Sequence, residues 1–316
     1  MYQKEYKGGS NMSLHEHVSE YLRYCALRKE LSPKTLKAYR IDLRQFFESV
    51  SCDTPDKADI ERYIDELHKK YQQKTVKRKI ASIKAFYNFL EQEELISESP
   101  FRRIRVKFKE TIILPRIIPR EEIEKLLNCM YDCLKQSKES DYKNVIRDVA
   151  VIELLFATGA RVYEISHIRV DYIDLSSGKV RFMGKGGKER CVQIADTDTL
   201  RLLKKYYEIN SHKIEESGYF FINRYGKRFT EESIREMLKH YTGKAGITRK
   251  ITPHMFRHSF ATFLIEEGVD ISCVQHILGH SSIKTTQIYI HIATSKQAEI
   301  LQNMHPRKRM RVSNVA

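Results

Sequence analysis

No stretch of this 316-residue chain is apolar for long enough to cross a bilayer or to act as a secretory signal. Six cysteines (Cys25, Cys52, Cys129, Cys133, Cys191 and Cys273) include no CxxC pair, which removes the common zinc and redox spacings and predicts free thiols in a reducing cytoplasm. Cys129 and Cys133 stand four apart on an expected helical face with no neighbouring Cys or His to complete a zinc set, which favours a structural thiol pair over a metal site. Acidic residues are in deficit, 41 against 56 Lys and Arg, for a formal net charge of +15. A polyanion is the natural partner. No cluster of carboxylates stands ready to hold Mg²⁺. The phosphate-loop pattern GxxxxGK[ST] is missing as well, because in GKGGKER Glu189 follows Lys188 and no helical period begins there.

What is present is mostly helical pattern. At roughly 100–200 residues per domain the length predicts two domains, preceded by a loose leader over 1–12 that carries Gly8, Gly9 and Ser10, with Met12 as an alternative start. Leu14, Val18, Tyr21, Leu22 and Cys25 share one helical face. Ser32 and Pro33 supply an N-cap and an N1 proline for a second helix with the stripe Leu36, Tyr39, Leu43, Phe46 and Phe47. Val76, Ile80, Ile83, Tyr87 and Leu90 mark the core face of a later helix. The first domain is expected over 13–105 and a basic, β-branched linker over 106–118. A second domain follows over 119–305, then a basic tail over 306–316. The polar stretch SKESDYKN predicts a surface loop, and Val145 to Phe156 a buried helix ended by Gly159. Val180 and Phe182, then Cys191, Val192 and Ile194, alternate about a glycine-rich tip that carries Lys185, the pattern of a β-hairpin. The fold class is therefore mainly α with a small β-hairpin or sheet.

Two groups of residues carry chemistry. The first is Arg161 in ATGARVYE, Lys185 in GKGGKER, His254 and Arg257 in TPHMFRH, His280 in LGHSS and Tyr289 in TTQIYIH. Two guanidiniums can grip a phosphoryl group, an ammonium and two imidazoles can donate or move protons, and a phenol can attack: together, a phosphate site with a nucleophile. Arg161 could instead merely pair with Glu164, three residues on. His254 and His258 have metal-ligand spacing, but no third ligand is evident and no metal is expected. The second group is basic. Lys74, Lys77, Arg78 and Lys79 lie beside the small residues Ala81 and Ser82, and Lys34, Lys37 and Arg40 lie on the preceding helical pattern. Both are candidate DNA-contacting faces, the bland alternative being a solvated face.

The words TGARVYE, GKGGKER, PHMFRHSFAT, LGHSSIKTTQIY and HIAT, in this order, resemble the boxes of the tyrosine recombinase, or phage integrase, family, and SPKTLKAYRIDLRQF resembles its helical core-binding domain. Nothing ahead of that domain resembles a separate arm-binding module, so the chain is most similar to the short Xer-like branch and to simple integrases. The stretch from Cys129 to Asn144, read as a longer loop, departs from the pattern. The resemblance implies a SAM-like core-binding domain joined to a mixed α/β catalytic domain, the two clamping the duplex from opposite sides. It also implies that Tyr289 attacks a DNA phosphodiester to give a 3′-phosphotyrosyl link. Arg161 and Arg257 would hold the non-bridging oxygens, Lys185 would protonate the departing 5′-oxygen, His254 would assist the phenol proton, His280 would donate to the phosphate and Glu164 would buttress the site.

No cofactor is implied, since the covalent link conserves the phosphodiester energy. The implied partners are double-stranded recombination sites and three further copies of the chain, with a second recombinase or an accessory DNA-bending protein left open. The amphipathic segment from Ala293 to Met304 would dock on a neighbouring protomer or on its own domain. The expected location is cytoplasmic, at the nucleoid. A DNA-relaxing enzyme with the same six residues and a non-catalytic architectural protein are the rivals, the latter requiring a missing box residue.

Overall fold

The structure is a computed structural model that describes residues 13–50, 54–106, 108, 116–184 and 189–279. The chain divides into two compact units, Met1–Thr111 and Ile112–Ala316.

In the first unit a short 3₁₀ turn leads into α1 (Val18–Leu27), followed by α2 (Pro33–Val50), α3 (Lys57–Lys70) and α4 (Gln73–Gln92). Ser32 caps α2, its hydroxyl accepting from the Thr35 amide at 3.2 Å, and Asp56 and Asp59 form a reciprocal capping box at α3. The stripe Val76, Ile80, Ile83, Tyr87 and Leu90 is buried, and it meets Tyr21, Leu43, Phe46 and Ile60 in one aromatic-rich core. Each such side chain contributes about 1.5–3 kcal/mol relative to staying exposed.

The basic face of α4 differs from its sequence reading at one position. Lys79, expected on a DNA-contacting surface, is only 3% exposed: its ammonium donates to the fully buried Asp42 at 3.1 Å and to Gln45, and lies 5.2 Å from the Tyr71 ring centre. Arg78 pairs with the same carboxylate, and the Ser82 hydroxyl donates to it at 3.2 Å. Asp42 on α2 captures these cations because a buried carboxylate is tolerated only when compensated. Lys79 is a structural cation that ties α2 to α4.

The second unit is built around α6 (Glu139–Thr158), which packs on α5 (Arg120–Gln136), α8 (Thr197–Ser217) and α10 (Pro253–Glu266). Ile146, Val149, Ala150, Ile152, Leu154 and Leu155 are completely buried. SKESDYKN is not a loop, since only Ser137 and Lys138 separate α5 from α6. Its polar residues are the exposed opening turns of α6, where Glu139 and Asp141 suit the positive end of the helix. The supposed loop from Cys129 to Asn144 is helical for the same reason, and both cysteines are free thiols. Ile118, the last residue of the expected linker, is buried, its backbone amide donating to the Ser259 hydroxyl of α10 at 2.7 Å.

After α7 (Val162–Ser166) come β1 (Ile173–Asp174), β2 (Lys179–Met183) and β3 (Glu189–Gln193), an antiparallel sheet in the order β1-β2-β3. The two-residue β1, too short to show alternation, was not foreseen. Between the sheet and α10 lie α8 and α9 (Glu231–Lys244), and α11 (Ile271–Leu278) closes the described part of the unit.

Asp42 gives a stability prediction. Asp42→Ala leaves a buried ammonium uncompensated and should cost about 3–5 kcal/mol in denaturant unfolding. A double variant, Asp42→Leu with Lys79→Met, should recover most of that loss. A cost below about 1 kcal/mol for the single variant would return Lys79 to the surface-contact role.

Candidate active site

The site begins where α6 stops. Gly159 ends that helix in the left-handed conformation, φ 58°, and a Cβ there would lie 2.5 Å from Phe260 and 2.8 Å from Leu278. Only glycine tolerates both the backbone and the crowding. The chain turns at once into α7, with Arg161 as its N-cap. Glu164, on the first turn, reaches back to the Arg161 amide at 2.7 Å and to the Arg161 guanidinium at 2.8 Å. Glu164 is 2% exposed and Arg161 is 35% exposed, so the carboxylate is sealed while the guanidinium keeps an open edge. The sequence alternative of a loose surface pair does not describe this arrangement, because a buried carboxylate holds its partner in one geometry.

Glu164 has a second partner. Arg190, on β3, grips both of its oxygens at 2.7 Å, a bidentate fork. Burial pushes the Glu164 carboxyl upward, but the hydrogen bonds and charge of Arg190, and then Arg161, outweigh it and hold the group below its ordinary value of 4.5. Nothing in the chemical reading of the motifs singled out Arg190. The available signal was its strand parity: Arg190 shares a face with Val192 and Ile194, which are buried, so a cation there needs a buried counter-charge.

Pro253 opens α10 behind the N-cap Thr252, and His254 and Arg257 follow on one face. Arg257 is 4% exposed, and its two terminal nitrogens donate to backbone carbonyls, Gly159 at 2.8 Å and Leu278 at 2.6 Å. The first carbonyl is two residues before Arg161 and the second is at the end of α11, so Arg257 is locked between the start of one site segment and the approach to another. His254 is exposed and His258 half-buried. Burial, then the nearby His254 and Arg257, lower His258 below 6.5 and leave it uncharged at neutral pH.

The structure thus brings together Arg161, Glu164 and Arg257. Lys185, His280 and Tyr289 lie outside the described residues, as do the segment Ala293–Met304 and the basic tail. The described chain stops at Gly279, whose left-handed φ of 62° ends α11 directly before His280. Among the described residues no group of three or more His, Cys, Asp or Glu side chains is placed to hold a metal ion, and no helix is long and apolar enough to cross a membrane. Two guanidiniums, those of Arg161 and Arg190, hold one carboxylate, and a third, that of Arg257, is fixed to the Gly159 and Leu278 carbonyls. Such an excess of fixed positive charge suits a phosphate diester. In the first unit Lys34, Lys37, Arg40, Lys74, Lys77 and Arg78 are exposed.

Comparison with known proteins decides the family. The profile described as "Phage integrase family" matches residues 116–296, and "Phage integrase, N-terminal SAM-like domain" matches 18–94. The chain belongs to the phage integrase family of tyrosine recombinases. A protein of Agathobacter rectalis named "Tyrosine recombinase" is 45% identical over 300 residues, covering 94% of this chain and 98% of its own. "Tyrosine recombinase XerD" of Listeria innocua is 32% identical over 306 residues, covering 93% and 100%. Among solved structures, XerH recombinase bound to a palindromic difH substrate superposes with a TM-score of 0.73 at 21% identity, covering 91% of this chain and 84% of that one. A lambda integrase tetramer on a Holliday junction gives 0.67 at 17% identity, covering 90% and 81%. These last two likenesses speak to the fold.

The lowered Glu164 value sets a pH dependence for this recombinase. A depressed carboxylate contributes stability that is present above about pH 4.5 and is lost as pH falls through the lower native value. Glu164→Gln should therefore be less stable than the unmutated protein at neutral pH, and the gap should narrow as pH falls below 4.5. Unfolding midpoints across pH check this, and a gap that widens toward acid would contradict it.

Proposed function

We propose that this tyrosine recombinase cuts and rejoins DNA at specific sites through a covalent 3′-phosphotyrosyl intermediate. The observation that carries the reading is the pairing of Arg161 and Arg190 with Glu164, beside Arg257 fixed to the Gly159 carbonyl two residues before Arg161, all within the matched integrase segment. In the forward step the Tyr289 oxygen bonds to phosphorus and the bond from phosphorus to the 5′-oxygen breaks. The phenol proton leaves with help from His254, and the departing 5′-oxygen takes a proton from Lys185. Arg161 and Arg257, with His280 as a further donor, hold the non-bridging oxygens as negative charge builds on the pentavalent phosphorus. Glu164 holds Arg161. The reverse step, with a 5′-hydroxyl of another strand as nucleophile, reseals the DNA, and the number of phosphodiester-type bonds is unchanged.

Recombination pairs two sites, and the lambda integrase tetramer on a Holliday junction supports four copies of this chain on two duplexes. The place of action is then the nucleoid. The exposed Lys34, Lys37, Arg40, Lys74, Lys77 and Arg78 of the first unit would meet DNA phosphates.

Tyr289→Phe tests the chemistry. It removes one oxygen and should abolish the covalent protein–DNA adduct on a nicked site while leaving DNA affinity nearly intact, whereas an adduct with the Phe variant would remove Tyr289 as the nucleophile. Arg161→Ala and Arg257→Ala should each slow cleavage by at least roughly 10²-fold, the scale for losing one preorganised donor.

For the basic face, Lys74→Ala with Lys77→Ala is the informative pair, because Arg78 is tied to Asp42. Each DNA phosphate that the variant no longer neutralises should flatten the slope of log affinity against log salt by roughly 0.9. An unchanged slope would confine the DNA-binding surface to the α2 face of Lys34, Lys37 and Arg40.

A further inference from the structure

Arg190 joins parts of the site that no other described side chain joins. Its Nη1 and Nη2 donate to the two oxygens of Glu164 at 2.7 Å, its Nε donates to the Ile277 carbonyl at 3.0 Å, and its guanidinium carbon lies 4.9 Å from the centre of the Phe182 ring on the paired strand β2. Its side chain is 8% exposed. We propose that Arg190 is a positioning residue for strand cleavage, fastening the carboxylate that holds Arg161 to the end of α11 and to the hairpin strands.

Three features set this apart from a salt bridge that merely stabilises the fold. The first is directional: the donors diverge, two toward α7 and one toward α11, so a single planar group fixes the spacing of both elements. The second is the helix end. Ile277 and Leu278 present the last carbonyls of α11, where the helix is partially negative, and Arg190 takes one while Arg257 takes the other. In sequence His280 follows Leu278 by two positions. The third is room: a Cβ at Gly279 would stand 2.8 Å from the Arg190 side chain, so glycine at this helix end serves the arginine as well as the backbone. In sequence Arg190 follows Lys185 by five positions and is the second residue of β3.

The proposal rests on Arg161 gripping the scissile phosphate, and the test separates the two. Single-turnover cleavage of a nicked duplex site, DNA affinity and thermal midpoint are measured for Arg190→Ala, Arg190→Lys and Arg161→Ala. Leu203→Ala, a core truncation in α8 with no hydrogen bond or ion pair to the site, serves as a control, compared at temperatures where all are folded. Arg190→Ala should cleave on the order of 10²-fold more slowly than the unmutated protein at saturating DNA, the scale for misplacing a catalytic group by about an ångström. Its affinity should change less than about threefold, small beside the loss in rate. Arg190→Lys should stay slow although the charge is kept, because an ammonium cannot span two carboxylate oxygens and a carbonyl. It also decides the matter if the Ala variant does not fold. Slow Arg161→Ala beside normal cleavage by either Arg190 variant would overturn the Arg190 proposal alone. So would a loss of rate no greater than that of Leu203→Ala, or a loss confined to affinity. Normal cleavage by Arg161→Ala would overturn the phosphate reading and the proposal with it.

Discussion

The Glu164 carboxylate is the constraint on which the site depends. It is buried, and a buried carboxylate persists as an anion only with compensation. Arg190 and Arg161 supply that compensation from opposite directions, one from β3 and one from the N-cap of its own helix. The consequence is functional. Arg161 is held without being neutralised by an exposed partner, and in the proposed mechanism the surplus guanidinium charge meets the phosphate. Losing the anion would free both arginines at once.

Backbone constraints put that carboxylate where it is useful. Gly159 and Gly279 each end a helix in the left-handed conformation, and each sits where a Cβ would collide with a neighbour. The end of α6 and the end of α11 can therefore approach closely, and Arg257 bridges them through the Gly159 and Leu278 carbonyls. The left-handed turns at these two glycines and the satisfaction of two helix ends go together.

Much of this was legible in the sequence, for identifiable reasons. The 3.6-residue period marked α1, α2 and α4, because each has one continuous core face, and a nearly unbroken apolar run marked the buried part of α6. Gly159 marked a helix end, because its backbone demand is local. What stayed hidden was long-range. Lys79 looked like a surface base because its partner Asp42 is 37 positions away, and Arg190 looked like one more cation of a basic box because Glu164 is 26 positions away. The opening turns of α6 passed for a loop because their exposure leaves no apolar period to read.

In the proposed function the first unit would offer the exposed lysines and arginines of α2 and α4 to DNA, while the second gathers Arg161 and Arg190 about one carboxylate. The most direct test of that second arrangement is the ionisation of Glu164 itself, followed by carbon NMR of its labelled carboxyl group and assigned by its loss in Glu164→Gln. The account predicts a titration midpoint below 4.5 in the native protein, and a rise when Arg190 is replaced by Ala. A midpoint at or above 4.5, indifferent to Arg190, would contradict it.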